Sequence, residues 1–250
     1  MSSINIDTTT AAQRSLQWFR ERWGKFTGSK VAALMGCGRK EGDTFSATAR
    51  AYICQVAAER MFNPAFLADD EVFQSYLDTI ELHSRAVQWG IEQEDSAKSL
   101  FMRLYHPGKE LIETSSCPHP ALPFFAASPD GIVRDFDDQG SMLAIEIKCP
   151  QPATFVAYRD SITDGATLKV AKPEYYWQVL AEMACTGAEA ADFVAYCPWL
   201  STPLHVARIL PDPTDTALML SRVELANAEA DRIAGLTPVN NETTDKPQQQ

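Results

Sequence analysis

The sharpest pattern in the chain is an alternation of apolar and polar residues from Leu143 to Lys148, which is typical of a β-strand with one apolar and one polar face. The apolar face carries Leu143, Ile145 and Ile147. Glu146 and Lys148 fall on the polar face. Such a strand places an acid and a base close together, so this stretch is the first candidate for chemistry.

The residues before this strand predict a β-hairpin. A partner strand is predicted over residues 132–136, and the polar residues 137–140 are a strong turn signal between the two strands. A hairpin closed at this turn brings Asp130 to within about one residue of the position opposite Glu146. The sequence does not fix the exact register.

Two interpretations of this hairpin are open on spacing alone. Two carboxylates about 4 Å apart repel each other by roughly 4 kcal/mol at an effective dielectric constant of 20, so they need a shared proton or a cation. In the first interpretation, Asp130 and Glu146 bind Mg²⁺, and Lys148 helps to position a water molecule that attacks a phosphodiester. In the second, the hairpin is exposed and carries an ordinary ion pair, worth less than about 1 kcal/mol.

The rest of the pattern predicts helices before the hairpin, and a mixture of helices and strands after it. Helices are predicted for residues 15–23, 29–35, 44–62, 69–106, 154–159, 173–185 and 211–236, and further strands for residues 109–114, 124–127, 192–196 and 204–210. Residues 118–123 are expected to form a loop, and the polar residues 160–172 a mobile connection. This order fits an α/β fold, in which a mixed central β-sheet is flanked by α-helices on both faces.

Composition and charge narrow the class of protein. With 250 residues, of which 45% are hydrophobic, the chain is expected to form a single domain over residues 13–236, between disordered ends at 1–12 and 237–250. The net charge of −11 argues against a protein that coats nucleic acid nonspecifically, but it leaves room for a local basic groove.

The sequence shows no signal peptide and no apolar run long enough to cross a membrane, so a soluble cytoplasmic protein is expected. The six cysteines are far apart and form no C-x-x-C motif, which argues against a zinc or iron–sulfur site.

Residues 128–131 (Ser-Pro-Asp-Gly) and 146–150 (Glu-Ile-Lys-Cys-Pro) resemble the two halves of the PD-(D/E)xK nuclease signature. Taken in full, the two segments resemble the lambda-exonuclease branch of that superfamily, the YqaJ-type viral recombinases. The resemblance implies a restriction-endonuclease-like core. It also implies that Asp130, Glu146 and the carbonyl group of Ile147 bind the metal, while Lys148 orients the attacking water.

Glu94 lies within an apolar stripe of the predicted helix 69–106, whose other members are Val87, Ile91, Ala97, Phe101 and Tyr105. A buried carboxylate needs a partner, which could be a metal, a neighbouring lysine or a hydroxyl group. Residues 90–97 (Gly-Ile-Glu-Gln-Glu-Asp-Ser-Ala) also resemble the Gly-x-x-x-Glu-x-x-Ala helix of the family, whose glutamate completes the metal site. The resemblance therefore assigns Glu94 to the metal, with Glu92 as the alternative.

Residues 22–29 (Arg-Trp-Gly-Lys-Phe-Thr-Gly-Ser) predict the end of one helix and the start of the next, where free backbone N–H groups bind phosphate readily. On the residues alone, a surface arginine and a capping hydroxyl are favoured over a phosphate site for Arg22 and Ser29. The segment resembles the opening motif of the family, Arg-x-Gly-Lys-x-Thr-x-Ser. That resemblance implies that Arg22 and Ser29, together with Ser128, bind the 5′-phosphate of DNA.

Residues 175–187 resemble the family motif Tyr-Tyr-x-Gln-x-Gln-x-x-Met-x-x-Thr-Gly, whose first glutamine faces the active site. The matching residue is Gln178, which joins the predicted phosphate-binding group. The second glutamine of the motif is replaced here by Leu180. The aromatic residues of this segment are expected to belong to the core rather than to a base-stacking surface.

The resemblance implies a metal-dependent deoxyribonuclease, with Mg²⁺ as the cofactor and Mn²⁺ as a substitute. The expected activity is 5′-to-3′ exonuclease digestion of one strand at double-stranded DNA ends to 5′-mononucleotides, which leaves 3′ overhangs for a single-strand annealing protein. The resemblance also implies a homo-oligomer, a trimeric ring, encoded by a phage or prophage and acting in the cytoplasm of a bacterial host cell. Two alternatives remain: an endonuclease of restriction or repair type, and a catalytically inactive acidic interaction protein on the same fold.

Overall fold

The structure is a computed structural model that describes residues 12–38, 42–80 and 85–236. Residues 1–11 and 237–250, for which disorder was predicted, lie outside the described residues. The described α-helices are α1 Leu16–Arg22, α2 Gly28–Val31, α3 Ala47–Arg60, α4 Pro64–Ala68, α5 Asp70–Ile80, α6 Arg85–Tyr105, α7 Pro152–Ser161, α8 Gly165–Ala171, α9 Pro173–Thr186 and α10 Pro213–Ile233, with a 3₁₀ helix at Ala32–Met35. The strands are β1 Phe26–Thr27, β2 Leu111–Ile112, β3 Cys117–Pro118, β4 Phe125–Ala127, β5 Gly131–Arg134, β6 Met142–Lys148, β7 Ala190–Tyr196 and β8 Leu204–Ile209.

The central sheet has five strands in the order β2-β5-β6-β7-β8. It is mixed, because β6 and β7 run parallel while the neighbouring pairs run antiparallel. Strands β5 and β6 form the predicted hairpin, in which Gly131 pairs with Ile145. The next position along this register places Asp130 opposite Glu146, and the backbone N–H of Asp130 donates to the carbonyl oxygen of Ile145 at 2.9 Å. The structure therefore confirms the predicted hairpin and supplies its register.

Helices cover both faces of this sheet. One face packs against α3, α7, α8, α9 and α10 in a large core that includes Phe155, Phe193 and Val223. The opposite face packs against α6 in a smaller core that includes Phe101, Leu143 and Ile145. This arrangement confirms the predicted α/β fold with a mixed sheet between two layers of helices. None of the described helices is long and apolar enough to cross a membrane.

A second, three-stranded sheet has the order β1-β4-β3 and lies beside the central sheet. Its strand β1 has only two residues, too few to produce a pattern in the sequence, and it pairs in parallel with β4. This pairing packs α2 onto β4 and α9, where a Cβ atom added to Gly28 would lie 3.0 Å from Ala127 Cβ and 3.2 Å from Ala181 Cβ. Gly28 is therefore the residue that allows the three elements to approach closely.

Some predicted boundaries were wrong. The single helix predicted over residues 69–106 corresponds to two described helices, α5 (Asp70–Ile80) and α6 (Arg85–Tyr105), and residues 81–84 lie outside the described residues. The connection predicted over residues 160–172 contains α8, which begins with a capping box in which Asp164 and Thr167 exchange hydrogen bonds. Proline at position 118 was predicted to open a loop and instead ends strand β3.

The apolar stripe predicted for α6 is only partly buried. Ala97 and Phe101 are fully buried, whereas Ile91 is 38% exposed and Tyr105 is 48% exposed. The side chain of Val87 lies outside the described residues. The buried part of the stripe is therefore short, and it lies next to Glu94 in the sequence.

The packing at Gly28 yields a prediction about stability. Gly28→Ala should lower the free energy of unfolding by about 1–3 kcal/mol, because the new methyl group meets two alanine side chains that cannot turn away. Gly90→Ala is the matched control: no described atom lies within 4 Å of the added Cβ, and alanine favours a helix by up to about 1 kcal/mol. Urea denaturation of both variants checks this. Equal stability of the two variants would contradict the close packing at Gly28.

Candidate active site

A cavity of about 350 Å³ opens where the hairpin meets α6. We call it the carboxylate cavity, because Glu94 and Asp130 line it together with Ile147 and Lys148. Its wall is completed by residues from both sides of the sheet, including Arg14, Tyr158 and Tyr175. The hairpin and α6 thus bring together Glu94, Asp130 and Lys148, which are far apart along the chain.

Sheet geometry holds the acidic pair of the hairpin. Asp130 directly precedes β5, and its Oδ2 atom accepts a hydrogen bond from the backbone N–H of Ile147 at 2.6 Å. Glu146 is only 2% exposed, and one of its oxygens forms an ion pair with Lys148. The other oxygen, Oε2, is buried and accepts no hydrogen bond from an N–H or hydroxyl group of the described residues, but the buried carboxyl group of Glu182 lies beside Glu146. Two buried carboxyl groups in contact need a shared proton, a cation or a water molecule between them.

Neighbouring carboxylates shift the pKa values of the groups at the carboxylate cavity. Burial, followed by the charges of Glu146 and Glu94, raises the pKa of Asp130 well above its ordinary value. Burial lowers the pKa of Lys148, but the carboxylates of Glu146 and Asp130 outweigh burial and leave that pKa raised. Lys148 is therefore a protonated ammonium group at neutral pH.

Glu94 reaches the cavity from α6 and forms an ion pair with Lys98 at 2.8 Å. Glu92, the alternative in the sequence, is exposed and accepts a hydrogen bond from Gln88 at 3.1 Å. The structure therefore places Glu94, and not Glu92, beside Asp130.

The fit of these groups to a metal ion can be tested on the donor atoms. No three His, Cys, Asp or Glu side chains within the described part of the chain stand in a metal-binding arrangement. Two of the acidic side chains are instead paired with lysines, Glu146 with Lys148 and Glu94 with Lys98. The donor set nevertheless fits a hard divalent cation, since it consists of oxygen atoms, and burial together with the charges of Glu146 and Glu94 raises the pKa of Asp130.

A second cavity, of about 170 Å³, adjoins the first. We call it the serine cavity, because Ser29 and Ser128 line it on either side of Arg22. The guanidinium group of Arg22 donates to Ser128 Oγ at 2.8 Å and to Ser29 Oγ at 3.4 Å. The ring of Trp18 packs against this guanidinium group, with the ring centre 4.2 Å from Arg22 Cζ. The indole N–H of Trp18 also donates to Ser128 Oγ, at 3.3 Å.

Asp130 and Glu146 also line the serine cavity, and its part around Arg22 has the character of an anion site. Burial lowers the pKa of Arg22, and the neighbouring groups that raise the pKa, such as Glu59, do not outweigh burial. The positive charge of Arg22 is therefore only partly compensated by nearby negative charge. Its hydrogen bonds described above go to neutral hydroxyl groups and not to carboxylates. A buried guanidinium group in this state gains most from an anion that accepts several hydrogen bonds, such as a phosphate.

Gln178 lines the serine cavity from α9, as the sequence predicted, but its partner was missed. The amide nitrogen of Gln178 donates to Glu182 Oε1 at 3.0 Å. Glu182 is 1% exposed, and burial followed by the charge of Glu146 raises its pKa well above the ordinary value. The available signal was its position four residues after Gln178, on the same side of a helix. Trp18 and Arg14 were also missed.

The five-stranded mixed sheet, with an aspartate before one hairpin strand and a Glu-x-Lys pair at the end of the other, defines a nuclease fold of the PD-(D/E)xK type. Within that class, the chain belongs to the YqaJ-like viral recombinase domain family, whose family model matches residues 17–189. The family and the fold class predicted from the sequence are thereby confirmed.

Solved structures agree with this assignment. The chain is similar to the alkaline exonuclease LHK-Exo from Laribacter hongkongensis, at 28% identity over 89% of this chain and 96% of that chain, with a TM-score of 0.66. The same enzyme in complex with dAMP aligns at 29% identity over the same shares, also with a TM-score of 0.66. A phage related exonuclease from Haemophilus somnus 129PT shares the fold at 15% identity, with a TM-score of 0.61 over 84% of this chain and 95% of that chain. No curated protein sequence matches the chain significantly.

The crowding around Asp130 yields a second prediction. Metal-free Asp130→Asn should be more stable than the natural protein at neutral pH, by about 1 kcal/mol or more, because it removes a carboxyl group whose ionisation is disfavoured by burial and by the charges of Glu146 and Glu94. A raised carboxyl pKa favours the folded state fully below the ordinary pKa, and this advantage is lost as the pH rises through the folded-state pKa. The difference between the two proteins should therefore shrink in acid.

Thermal denaturation with and without Mg²⁺ checks this prediction. Mg²⁺ should stabilise the natural protein and have little effect on Asp130→Asn. Asp95→Asn is the matched control, since this exposed carboxylate on α6 carries the same charge and lies outside the cavity. If Mg²⁺ stabilised Asp130→Asn as strongly as the natural protein, Asp130 would not belong to a metal site.

Proposed function

We propose that the protein is a Mg²⁺-dependent exonuclease that degrades one strand of duplex DNA from its 5′ end. It would release 5′-mononucleotides and leave a 3′ single-stranded overhang. The observation that carries the proposal is the contact between the two cavities, which share Asp130, Lys148 and Arg14 as lining residues. A group of carboxylates suited to hydrolysis thus lies beside an anion site suited to a terminal phosphate.

The oxygen atoms of Glu94, Asp130, Glu146 and the carbonyl group of Ile147 would hold Mg²⁺, with Mn²⁺ as a substitute. When bound, the metal supplies positive charge to the reacting phosphate and lowers the pKa of a water molecule. The ion pairs of Glu146 and Glu94 with their lysines would have to loosen on metal binding. This exchange is favourable, because a divalent cation offsets more negative charge than one ammonium group.

Lys148 has a different task from that of a base. The carboxylates of Glu146 and Asp130 raise its pKa in this structure, so it carries a proton at neutral pH and is suited to orienting the attacking water. It can donate hydrogen bonds to the attacking oxygen and to a phosphate oxygen. Its Nζ atom also lies 4.9 Å from the ring centre of Tyr175, which limits the directions in which the side chain can turn.

Arg22, Ser29, Ser128 and Gln178 would bind the 5′-phosphate. Arg22 offers a planar fork of donors that matches phosphate oxygens, and the two serine hydroxyls can turn from Arg22 to the ligand. Gln178 uses one amide N–H for Glu182 and keeps a second for the ligand. With the terminal phosphate held here, the next phosphodiester falls at the carboxylate cavity, which accounts for a mononucleotide product.

The biological part of the proposal rests on membership of the family and on exonucleases with the same fold. The enzyme would act on double-stranded DNA ends as a homo-oligomeric, trimeric ring, and its product would serve a single-strand annealing protein. Its gene would belong to a phage or prophage, and the enzyme would work in the bacterial cytoplasm.

Linear duplex DNA labelled at either the 5′ or the 3′ end tests the activity, together with a supercoiled circle. We expect early release of 5′ label as mononucleotide with Mg²⁺, no reaction with EDTA, and an intact circle. Glu146→Gln should lose at least about 1,000-fold in rate, in keeping with the loss of a group that holds the metal, while Glu92→Gln retains full activity. Cleavage of the circle would indicate an endonuclease, and a lack of any Mg²⁺-dependent cleavage would favour the interaction protein.

Arg22→Ala tests the terminal phosphate site. The variant should lose about 10- to 100-fold in kcat/KM on 5′-phosphorylated ends, the range for a hydrogen bond to a charged group, and much less on 5′-hydroxyl ends. Arg20→Ala is the matched control, since Arg20 lies two residues earlier on α1 and is paired with Asp70. Equal losses of Arg22→Ala on both kinds of end would remove the proposed site.

A further inference from the structure

A short segment before α1 reaches into the site. Arg14 is the residue of this segment that lines both the carboxylate cavity and the serine cavity. Its neighbour Gln13 ties the segment down, since the amide nitrogen of Gln13 donates to the carbonyl oxygen of Pro129 at 2.9 Å and to that of Thr114 at 3.4 Å. Because Pro129 directly precedes Asp130, the segment is fixed to the same loop that carries the central carboxylate.

The backbone of Arg14 is strained. Its φ angle is +68°, in the left-handed region that favours glycine. Among the described residues, the other non-glycine positions with positive φ are Asp135 and Asp138, both in the hairpin turn, where aspartate is tolerated. A strained arginine at the junction of two cavities is typical of a functional residue, because glycine would adopt the same backbone at lower cost.

The charge of Arg14 is available to a ligand. The two other cations at these cavities are engaged, Lys148 with Glu146 and Arg22 with two serine hydroxyls. Arg14 is exposed, and no ion pair within the described ranges involves it. A guanidinium group in this state can bind two oxygen atoms of one phosphate at once.

We propose that Arg14 binds the scissile phosphodiester, the first internucleotide linkage, while Arg22 binds the terminal phosphate. This inference rests on the proposed exonuclease function and assigns a second arginine to the same substrate. Its basis is position: Arg14 contacts both cavities, and a strand that enters the serine cavity with its terminal phosphate passes Arg14 at its next phosphate. Charge on that phosphate increases in the transition state, so Arg14 would assist turnover as well as binding.

The test separates the two phosphates chemically. DNA duplexes carry either a normal first linkage or a methylphosphonate there, which has no charge, and each is made with a 5′-phosphate or a 5′-hydroxyl group. Binding is measured with Ca²⁺ in place of Mg²⁺ to prevent turnover. For the natural protein, the neutral linkage should weaken binding about tenfold or more, the effect of one lost hydrogen bond to a charged group.

Arg14→Gly is the informative variant, because glycine removes the guanidinium group and relieves the strained φ angle. It should fold at least as stably as the natural protein and bind the normal duplex more weakly. Replacing the normal first linkage by the neutral one should then weaken the binding of this variant by less than about twofold. Its preference for a 5′-phosphate should remain. With Mg²⁺ its kcat should fall about 10- to 100-fold, more than its KM rises, and Arg14→Lys should recover part of the loss.

Arg103→Gln is the control, an exposed arginine of α6 whose replacement changes the net charge by the same amount. It should respond to the neutral linkage as the natural protein does. If Arg14→Gly remained as sensitive to the neutral linkage as the natural protein, or lost its preference for the 5′-phosphate instead, the assignment would be overturned. If the natural protein itself bound no DNA ends and digested none, the proposed function would fail, and the inference with it.

Discussion

The structure depends on one constraint, the forced proximity of carboxylates at the end of the central hairpin. The register of β5 and β6 sets Asp130 opposite Glu146, and α6 adds Glu94 from the side. Backbone hydrogen bonds hold this register, so the acidic groups cannot separate without loss of the sheet. In the metal-free protein, Lys148 and Lys98 partly compensate the charge. In the proposed function, a cation bound at this site would relieve the repulsion and so couple stability to cofactor binding.

The serine cavity depends on a different feature, the close approach of α2, β4 and α9 at Gly28. Ser29 follows Gly28, Ser128 follows strand β4, and Gln178 lies one turn before Ala181 on α9. Each of these side chains is therefore held by a neighbour that packs in the same place. Asp130 lines this cavity as well, so packed elements of the fold set the position of the serine hydroxyls relative to the carboxylates. The proposed release of one mononucleotide in each cycle needs such a fixed arrangement.

Much of the fold and of the site was predictable from local pattern. The hairpin was predictable because its strands alternate and its turn is polar, and α9 because proline begins it and Gly187 ends it. Strand β1 was not predictable, because two residues are too few to show an alternation of apolar and polar positions. Its position is set by pairing with β4. Glu182 and Arg14 were not predicted either, because their roles depend on which residues surround them in space. The left-handed backbone of Arg14 leaves no signal in the sequence at all.

The acidic character of the chain gives the two arginines their importance. With a net charge of −11, the chain as a whole repels duplex DNA, so in the proposed function affinity has to come from a few local contacts. Arg22 is available only to a phosphate that enters the serine cavity, and Arg14 lies where that cavity meets the carboxylates. A phosphate in the middle of a duplex has no free end to insert and meets the acidic surface first. The proposed preference for DNA ends would therefore arise from access to the serine cavity and from charge, without contacts that read the bases.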